Sequence, residues 1–160
     1  MNKKPVQVGI AEGKVVVKPG KLISYALGSC VGICLYDSKA GVAGMVHILL
    51  PERRASVRQE NPYKFADSGV EVLVLMMEET GAERKRMTAK IAGGAKMFAS
   101  NGLAESVGER NIKAARDVLV RLRIPVVAED TGKDYGRTIC FDSDNGRLEI
   151  RSANNRKTQI

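Results

Sequence analysis

The sequence of 160 residues predicts an α+β protein, a single-domain sandwich in which two main helices cover a mixed or largely antiparallel sheet. Short apolar runs of strand length, separated by glycine, proline and asparagine turns, occupy most of the chain. Two longer segments instead repeat their apolar residues at helical spacing behind a serine. With 44% hydrophobic residues, a chain of this length can bury a substantial core.

Five strands are predicted before the first helix. They cover residues 6–10, 14–17, 22–27, 31–36 and 42–50. The first two are expected to form a hairpin around Glu12 and Gly13, and the short connections between the others favour antiparallel pairing. Pro51 ends the fifth strand, and the polar residues 52–62 have no periodicity, which indicates a loop.

Both predicted helices have the same start signal. Ser68 followed by Glu71 is a capping-box pattern, which predicts the first helix over residues 70–80. Ser106 followed by Glu109 repeats this pattern at the start of the second helix. Its apolar residues then follow at helical spacing, at Ile112, Ala115, Val118, Leu119 and Leu122.

The remaining strands complete the predicted domain of residues 1–160. They cover residues 87–91, 126–128, 138–141 and 147–150. The last two are expected to form a hairpin around Asn145 and Gly146, a strong turn signal. We expect the core to extend over about residues 8–150 and the polar tail, residues 152–160, to be frayed.

The charge of the chain is basic, with a net charge of +8. The basic residues are dispersed and no aromatic residues lie among them, so we expect a solvated surface or an acidic protein partner rather than nucleic acid. The longest apolar run, residues 72–77, is too short to cross a bilayer, so no membrane insertion is expected. The N-terminus lacks the apolar stretch of a signal peptide, which favours a cytoplasmic protein.

The three cysteines, Cys30, Cys34 and Cys140, do not form a disulfide or metal-binding pattern. Along one strand the first two would have Cα atoms roughly 13 Å apart at about 3.3 Å per residue. A disulfide tolerates only about 7 Å. With a single histidine in the chain, we expect no bound metal and no other cofactor.

Cys30 differs from the other cysteines because Gly28 and Ser29 precede it and Gly32 follows it. The histidine, His47, lies in the next apolar strand, and a short loop can bring the two side by side. A thiol beside an imidazole can become a thiolate that attacks acyl carbons, and free N–H groups in the turn could stabilise an oxyanion. The alternatives are a buried structural cysteine and a core histidine.

These elements resemble the chemoreceptor glutamine deamidase family, CheD, over about residues 8–150. The matching segments are residues 27–31 (LGSCV), 44–51 around His47, 63–67, 90–95 (KIAGGA), 108–111 (GERN) and 136–146. The resemblance implies hydrolysis of particular glutamine side chains of bacterial chemoreceptors to glutamates, with release of ammonia. It also implies a fold shared with toxin-type glutamine deamidases and binding of a CheC-type chemotaxis phosphatase. A non-catalytic adaptor of chemotaxis is the alternative.

By position, the resemblance makes Cys30 the nucleophile and His47 the general base and then acid. The third position of the family's cysteine–histidine–threonine triad is Ser24 here, which keeps the hydroxyl. The amides of Gly28 and Ser29 are expected to bind the substrate. Along one strand Ser24 and Cys30 would lie roughly 20 Å apart, so we expect Ser24 to reach the site through pairing of its strand with the strand of His47. The glycine pair and the GERN element are interpreted as a turn and a helix entry.

Overall fold

The computed structural model describes residues 4–53, 61–97 and 105–160, and within these ranges it contains ten strands and two α-helices. The strands are β1 (Val6–Gln7), β2 (Gly13–Val17), β3 (Lys21–Leu27), β4 (Val31–Asp37), β5 (Val42–Ile48), β6 (Thr88–Gly93), β7 (Val126–Thr131), β8 (Arg137–Asp142), β9 (Leu148–Ser152) and β10 (Lys157–Gln159). The helices are α1 (Ala66–Glu79) and α2 (Val107–Arg121). Neither is long and apolar enough to cross a membrane. The loop predicted over residues 52–62 lies largely outside the described ranges.

The strands form two five-stranded sheets. The first has the order β1-β3-β8-β9-β10 and the second the order β2-β5-β4-β6-β7. Each sheet contains one parallel pair, β1 with β3 in the first and β6 with β7 in the second, and its other pairs are antiparallel. The α+β prediction is therefore confirmed, with two mixed sheets.

The central strands β4 and β5 of the second sheet are buried on both faces. On β4, Val31, Ile33 and Leu35 pack against the helices, whereas Cys34 belongs to the core between the two sheets. Successive side chains of a strand point to opposite faces, so every residue of such a strand faces apolar surroundings. This explains the continuous apolar runs of β4 and β5, and it directs the odd-numbered residues of β5, among them His47, toward the first sheet.

The predicted hairpin around Glu12 and Gly13 is wrong, because β1 and β2 belong to different sheets. β1 pairs with β3 in parallel, and β2 pairs with β5 in antiparallel orientation. The segment between them is held by β5 instead, through hydrogen bonds from Ala11 N–H to His47 O and from His47 N–H to Glu12 O. Ala11 has a φ of +58°, which turns the chain from one sheet to the other.

The two helix starts differ from each other. In α2, the Ser106 side chain accepts a hydrogen bond from Glu109 N–H, as predicted. In α1, the predicted cap is wrong, because the helix already begins at Ala66 and Ser68 lies inside it. The Ser68 hydroxyl donates to Pro62 O at 2.6 Å, a contact that the local sequence pattern does not reveal.

The C-terminal part is more ordered than predicted. β8 and β9 form the expected hairpin, with Gly146 in the left-handed region at a φ of +72°. The tail does not fray, because β10 pairs with β9 in antiparallel orientation. Asn155, at a φ of +64°, forms part of the turn between them. The backbone hydrogen bonds of this last hairpin extend the first sheet by one strand.

Candidate active site

Ser24 and His47 are joined by a short hydrogen bond in the core between the sheets. The Ser24 Oγ lies 2.7 Å from His47 Nδ1 and 2.7 Å from the backbone oxygen of Val8. The Val8 oxygen can only accept, so the Ser24 hydroxyl donates to it and accepts from Nδ1–H of His47. The imidazole therefore carries its proton on Nδ1 and its lone pair on Nε2.

The contact between Ser24 and His47 is made across the sandwich and not along one sheet. We expected β3 to pair with β5, but β3 pairs with β1 and β8, and β5 belongs to the other sheet. Both side chains point from their sheets into the shared core, where Ser24 is fully buried and His47 is 2% exposed. Sheets pack about 10 Å apart, which a serine and an imidazole together can span.

Cys30 lies in the bend that leads into β4, beside the strand of His47. β4 and β5 pair with Gly32 opposite His47, and Cys30 lies two residues before Gly32. Cys30 belongs to the same inter-sheet core, so continuation of the β4–β5 register would place Cys30 and His47 at diagonal positions on one face of the sheet. Gly32 has no side chain that could separate them, and a Cβ there would meet Ile139 of the first sheet.

The turn around Cys30 is held by its carbonyl groups. The oxygens of Gly28, Ser29 and Cys30 accept hydrogen bonds from Ala95 N–H (2.9 Å), Asn111 Nδ2 (2.9 Å) and Gly94 N–H (2.8 Å), respectively. The N–H groups of Ser29 and Cys30 donate to no oxygen in the described part of the chain. Unused N–H groups beside a thiol are the donors that an oxyanion requires.

Two backbone irregularities direct the chain into this turn. The pairing of β3 with β8 changes register between Ser24 and Leu27, and Ala26 has a φ of +55°. This β-bulge lets both Ser24 and Leu27 face the core, although they are three residues apart. On the other side, Gly93 has a φ of +111°, and a Cβ there would collide with the backbone oxygen of Cys30.

The electrostatic surroundings keep both candidate groups neutral at neutral pH. Burial lowers the pKa of His47 to about 4, and hydrogen bonding of the ring to the Val8 backbone and the charge of Glu12 oppose this only partly. Burial also raises the pKa of the Cys30 thiol, against the effect of its own backbone N–H. Among the described residues, His47 Nε2 is buried without a hydrogen-bond partner, so its lone pair is available as a base.

The other two cysteines differ in exposure. All three cysteines are free, as the spacing of Cys30 and Cys34 predicts. Cys34 is fully buried, and burial raises the pKa of its thiol strongly. Cys140 on β8 is only half-buried, although apolar residues flank it on its strand.

Two buried charged side chains lie outside this site and have structural partners. Burial raises the pKa of Asp37, but hydrogen bonds from Arg86 and from backbone N–H groups outweigh it and hold the pKa below its usual range. Arg137 donates to Asp130 and to Gly132 O and stacks on the Tyr135 ring. Among the described residues, no three His, Cys, Asp or Glu side chains form a group that could hold a metal ion.

Asn111 is the residue of this site that the sequence analysis missed. It lies in the second turn of α2, is fully buried, and donates to Ser29 O at 2.9 Å and to Leu49 O at 3.1 Å. A signal was present in the sequence, since Asn111 precedes Ala115 and Val118 on the apolar face of the helix. An amide at such a position is expected to have buried partners.

Comparison with known proteins places the chain in a family. A profile described as CheD chemotactic sensory transduction matches residues 49–152. A relative from Caldanaerobacter subterraneus, named "Probable chemoreceptor glutamine deamidase CheD", is 50% identical over 154 residues, 95% of each chain. A relative of the same name from Lachnoclostridium phytofermentans is 45% identical over 157 residues, 97% of this chain and 98% of its own.

The chain belongs to the CheD family. The profile match begins after Ser24, Cys30 and His47, whereas the alignments with the CheD relatives extend over nearly the whole chain. Among solved structures, the hypothetical protein YfiH of Bacillus licheniformis aligns with a TM-score of 0.49 and 15% identity. That alignment covers 76% of this chain and 51% of the other.

Proposed function

We propose that this protein is a cysteine-dependent protein-glutamine glutaminase that converts specific glutamine side chains of chemoreceptors to glutamates and releases ammonia. The observation that carries the proposal is the hydrogen bond between Ser24 and His47, which leaves Nε2 of the imidazole without a partner among the described residues, in the inter-sheet core to which Cys30 also belongs. Membership of the CheD family supplies the substrate, because the relatives are named for this reaction.

The first step is the attack of the Cys30 sulfur on the amide carbon of the glutamine. His47 Nε2 takes the thiol proton as the C–S bond forms, so the buried thiolate never has to exist alone. The imidazole becomes an imidazolium, whose Nδ1–H still donates to Ser24, and Ser24 in turn donates to Val8 O. Ser24 thereby orients the ring and stabilises its positive charge.

The oxyanion that forms on the amide oxygen needs donors close to the sulfur. The N–H groups of Ser29 and Cys30, which donate to no oxygen among the described residues, are suited to this role, because the carbonyls of the turn are fixed by other partners. Gly28 contributes its lack of a side chain, which lets Met97 pack beside the turn.

The second half of the reaction releases both products. The imidazolium of His47 protonates the amide nitrogen, and the C–N bond breaks. Ammonia leaves, and the acyl group stays on Cys30 as a thioester. A water molecule then enters, loses a proton to Nε2 and adds to the thioester carbon. The C–S bond breaks, the sulfur recovers the proton from His47, and the product is the glutamate side chain.

Incubation of the purified protein with receptor fragments tests the proposal by mass spectrometry, because conversion of an amide to a carboxylate changes the mass of the glutamine peptide. We expect conversion with the wild type and none with Cys30→Ala. Cys140→Ser is the matched control, since it removes a cysteine outside the site, and it should convert glutamine like the wild type. Equal conversion by Cys30→Ala would contradict the proposal.

The same experiment separates the enzyme from a non-catalytic adaptor. An adaptor would bind receptor fragments and leave every glutamine peptide at its original mass, with wild type and Cys30→Ala alike. Binding of a CheC-type phosphatase stays a prediction, and co-purification of the two proteins would test it.

A further inference from the structure

Asn111 connects the two backbone segments that carry the thiol and the imidazole. Its Nδ2 group donates to Ser29 O, one residue before Cys30, and to Leu49 O, two residues after His47. The orientation of the amide is fixed by chemistry, because both partners are carbonyl oxygens and only the NH₂ group can donate to them. One side chain of α2 therefore joins two strands of the second sheet.

The bridge lies where the strands no longer hold each other. The last pair of the β4–β5 ladder is Val31 with Ile48, so Cys30 and Leu49 lie beyond it. After this point the chain of β5 turns away, since the N–H groups of Leu49 and Leu50 donate to Lys64 O. Without Asn111, no hydrogen bond in the described part of the chain would link the turn of Cys30 to the segment after His47.

The bridge is made by a side chain whose two ends differ in their hydrogen bonding. Asn111 is fully buried, and its Oδ1 has no hydrogen-bond partner in the described part of the chain. An unsatisfied buried acceptor is destabilising, whereas the NH₂ group satisfies the carbonyl oxygens of Ser29 and Leu49. The benefit of the amide lies in its two donors, which reach the two segments on which the chemistry depends.

We propose that Asn111 is a positioning residue, which sets the separation of the Cys30 thiol and the His47 imidazole by holding Ser29 and Leu49 together. The inference rests on the proposed function, in which His47 takes the proton of the thiol. Asn111 itself touches neither reacting atom. Its loss is expected to let the turn of Cys30 shift away from β5, and a misplacement of about 1 Å lowers reaction rates by roughly 100-fold.

Alkylation of Cys30 by iodoacetamide measures this separation without any receptor. In the wild type, His47 is expected to take the thiol proton during alkylation, and the charge of Glu12 acts on its ring. Since the pKa of buried His47 is about 4, the rate should be nearly flat from about pH 5.5 to 8. A thiol without its base reacts only as thiolate, and its rate rises about tenfold per pH unit. His47→Asn is expected to show that rising profile.

The variant Asn111→Leu should follow the rising profile and react at least about tenfold more slowly than wild type at pH 7. Val118→Ala is the matched control, since it removes core packing further along α2, and it should keep the flat profile. If Asn111→Leu does not fold, Asn111→Asp keeps the side-chain size and gives the same test, because its carboxylate cannot donate to two carbonyls.

Three outcomes would overturn the inference: a flat profile in both Asn111 variants, a rising profile in Val118→Ala, or a rising profile in the wild type. The proposed function can fail separately. If receptor glutamines stay unchanged while the labelling profiles behave as expected, Asn111 still positions the thiol–imidazole pair, and only the substrate is wrong.

Discussion

Substitution of Gly93 by alanine should disable the site, because the added methyl group would displace the turn that contains Cys30. Gly93 ends β6 at a φ of +111°, pairs with Val31, and would bring a Cβ closer than 3.0 Å to the backbone oxygen of Cys30. Ordinary contact requires about 3.5 Å or more between such atoms, so the two backbones must separate by roughly 1 Å. The turn of Cys30 is the segment that would move.

The size of the effect can be estimated against a matched glycine. Gly81 has a φ of +106°, almost the same as Gly93, but a Cβ there has no atom within 4 Å. Gly81→Ala should therefore lower the free energy of unfolding only through the strain of a positive φ, by about 1–2 kcal/mol. Gly93→Ala adds a collision worth about 1–3 kcal/mol. A shift of about 1 Å at the nucleophile should further lower turnover by roughly 100-fold.

Thermal unfolding and the mass-spectrometric deamidation assay, performed on both variants, separate the two effects. At about 2–4 °C per kcal/mol, Gly81→Ala should melt roughly 2–8 °C below the wild type and keep its turnover. Gly93→Ala should melt lower still and lose turnover at a temperature where it is fully folded. Equal turnover of the two variants would refute the reasoning, because the strain at φ would then be the whole effect of the substitution.

Three further predictions concern the same site. Ser24→Ala should lower turnover about 10- to 100-fold, since a hydrogen bond to a charged group contributes about 1.5–3 kcal/mol. Ser24→Thr should preserve turnover. An unchanged rate for Ser24→Ala would reduce the triad to a dyad of Cys30 and His47. Burial lowers the pKa of His47 from 6.5 to about 4, so between these pH values the unfolded chain binds a proton at this residue more readily than the folded protein. The contribution of His47 to the free energy of unfolding is therefore complete above pH 6.5 and is lost as the pH falls from 6.5 to about 4. The wild type should lose about 3 kcal/mol more than His47→Asn between these pH values in denaturant titrations, and parallel pH dependences would contradict this. Under limited iodoacetamide at neutral pH, peptide mapping should find Cys30 labelled first, half-buried Cys140 more slowly and Cys34 last; preferential labelling of Cys34 would remove the assignment of the nucleophile.

Local sequence determined most of the elements and the turn that contains Cys30. The glycines around Cys30 produce the turn between β3 and β4, because a break in two apolar runs needs residues that tolerate bends. Ser106 caps α2 and Gly146 turns the last predicted hairpin, since both signals act through hydrogen bonds within a few residues. At Ser68 the local pattern predicted a helix cap, and this prediction was wrong because the hydroxyl donates to Pro62 O instead.

Only the tertiary structure decided which of these elements meet. Period-two patterns show which face of a strand is buried, but not which sheet the strand joins, so β1 and β2 were wrongly paired. The same limit applies to the contact between Ser24 and His47, whose strands face each other across the core without sharing a hydrogen bond ladder. Asn111 shows it most clearly, because its two carbonyl partners come from distant parts of the sequence. The chain thus encodes its turns, caps and buried faces locally, while the distances within the site follow from the packing of two sheets and a helix.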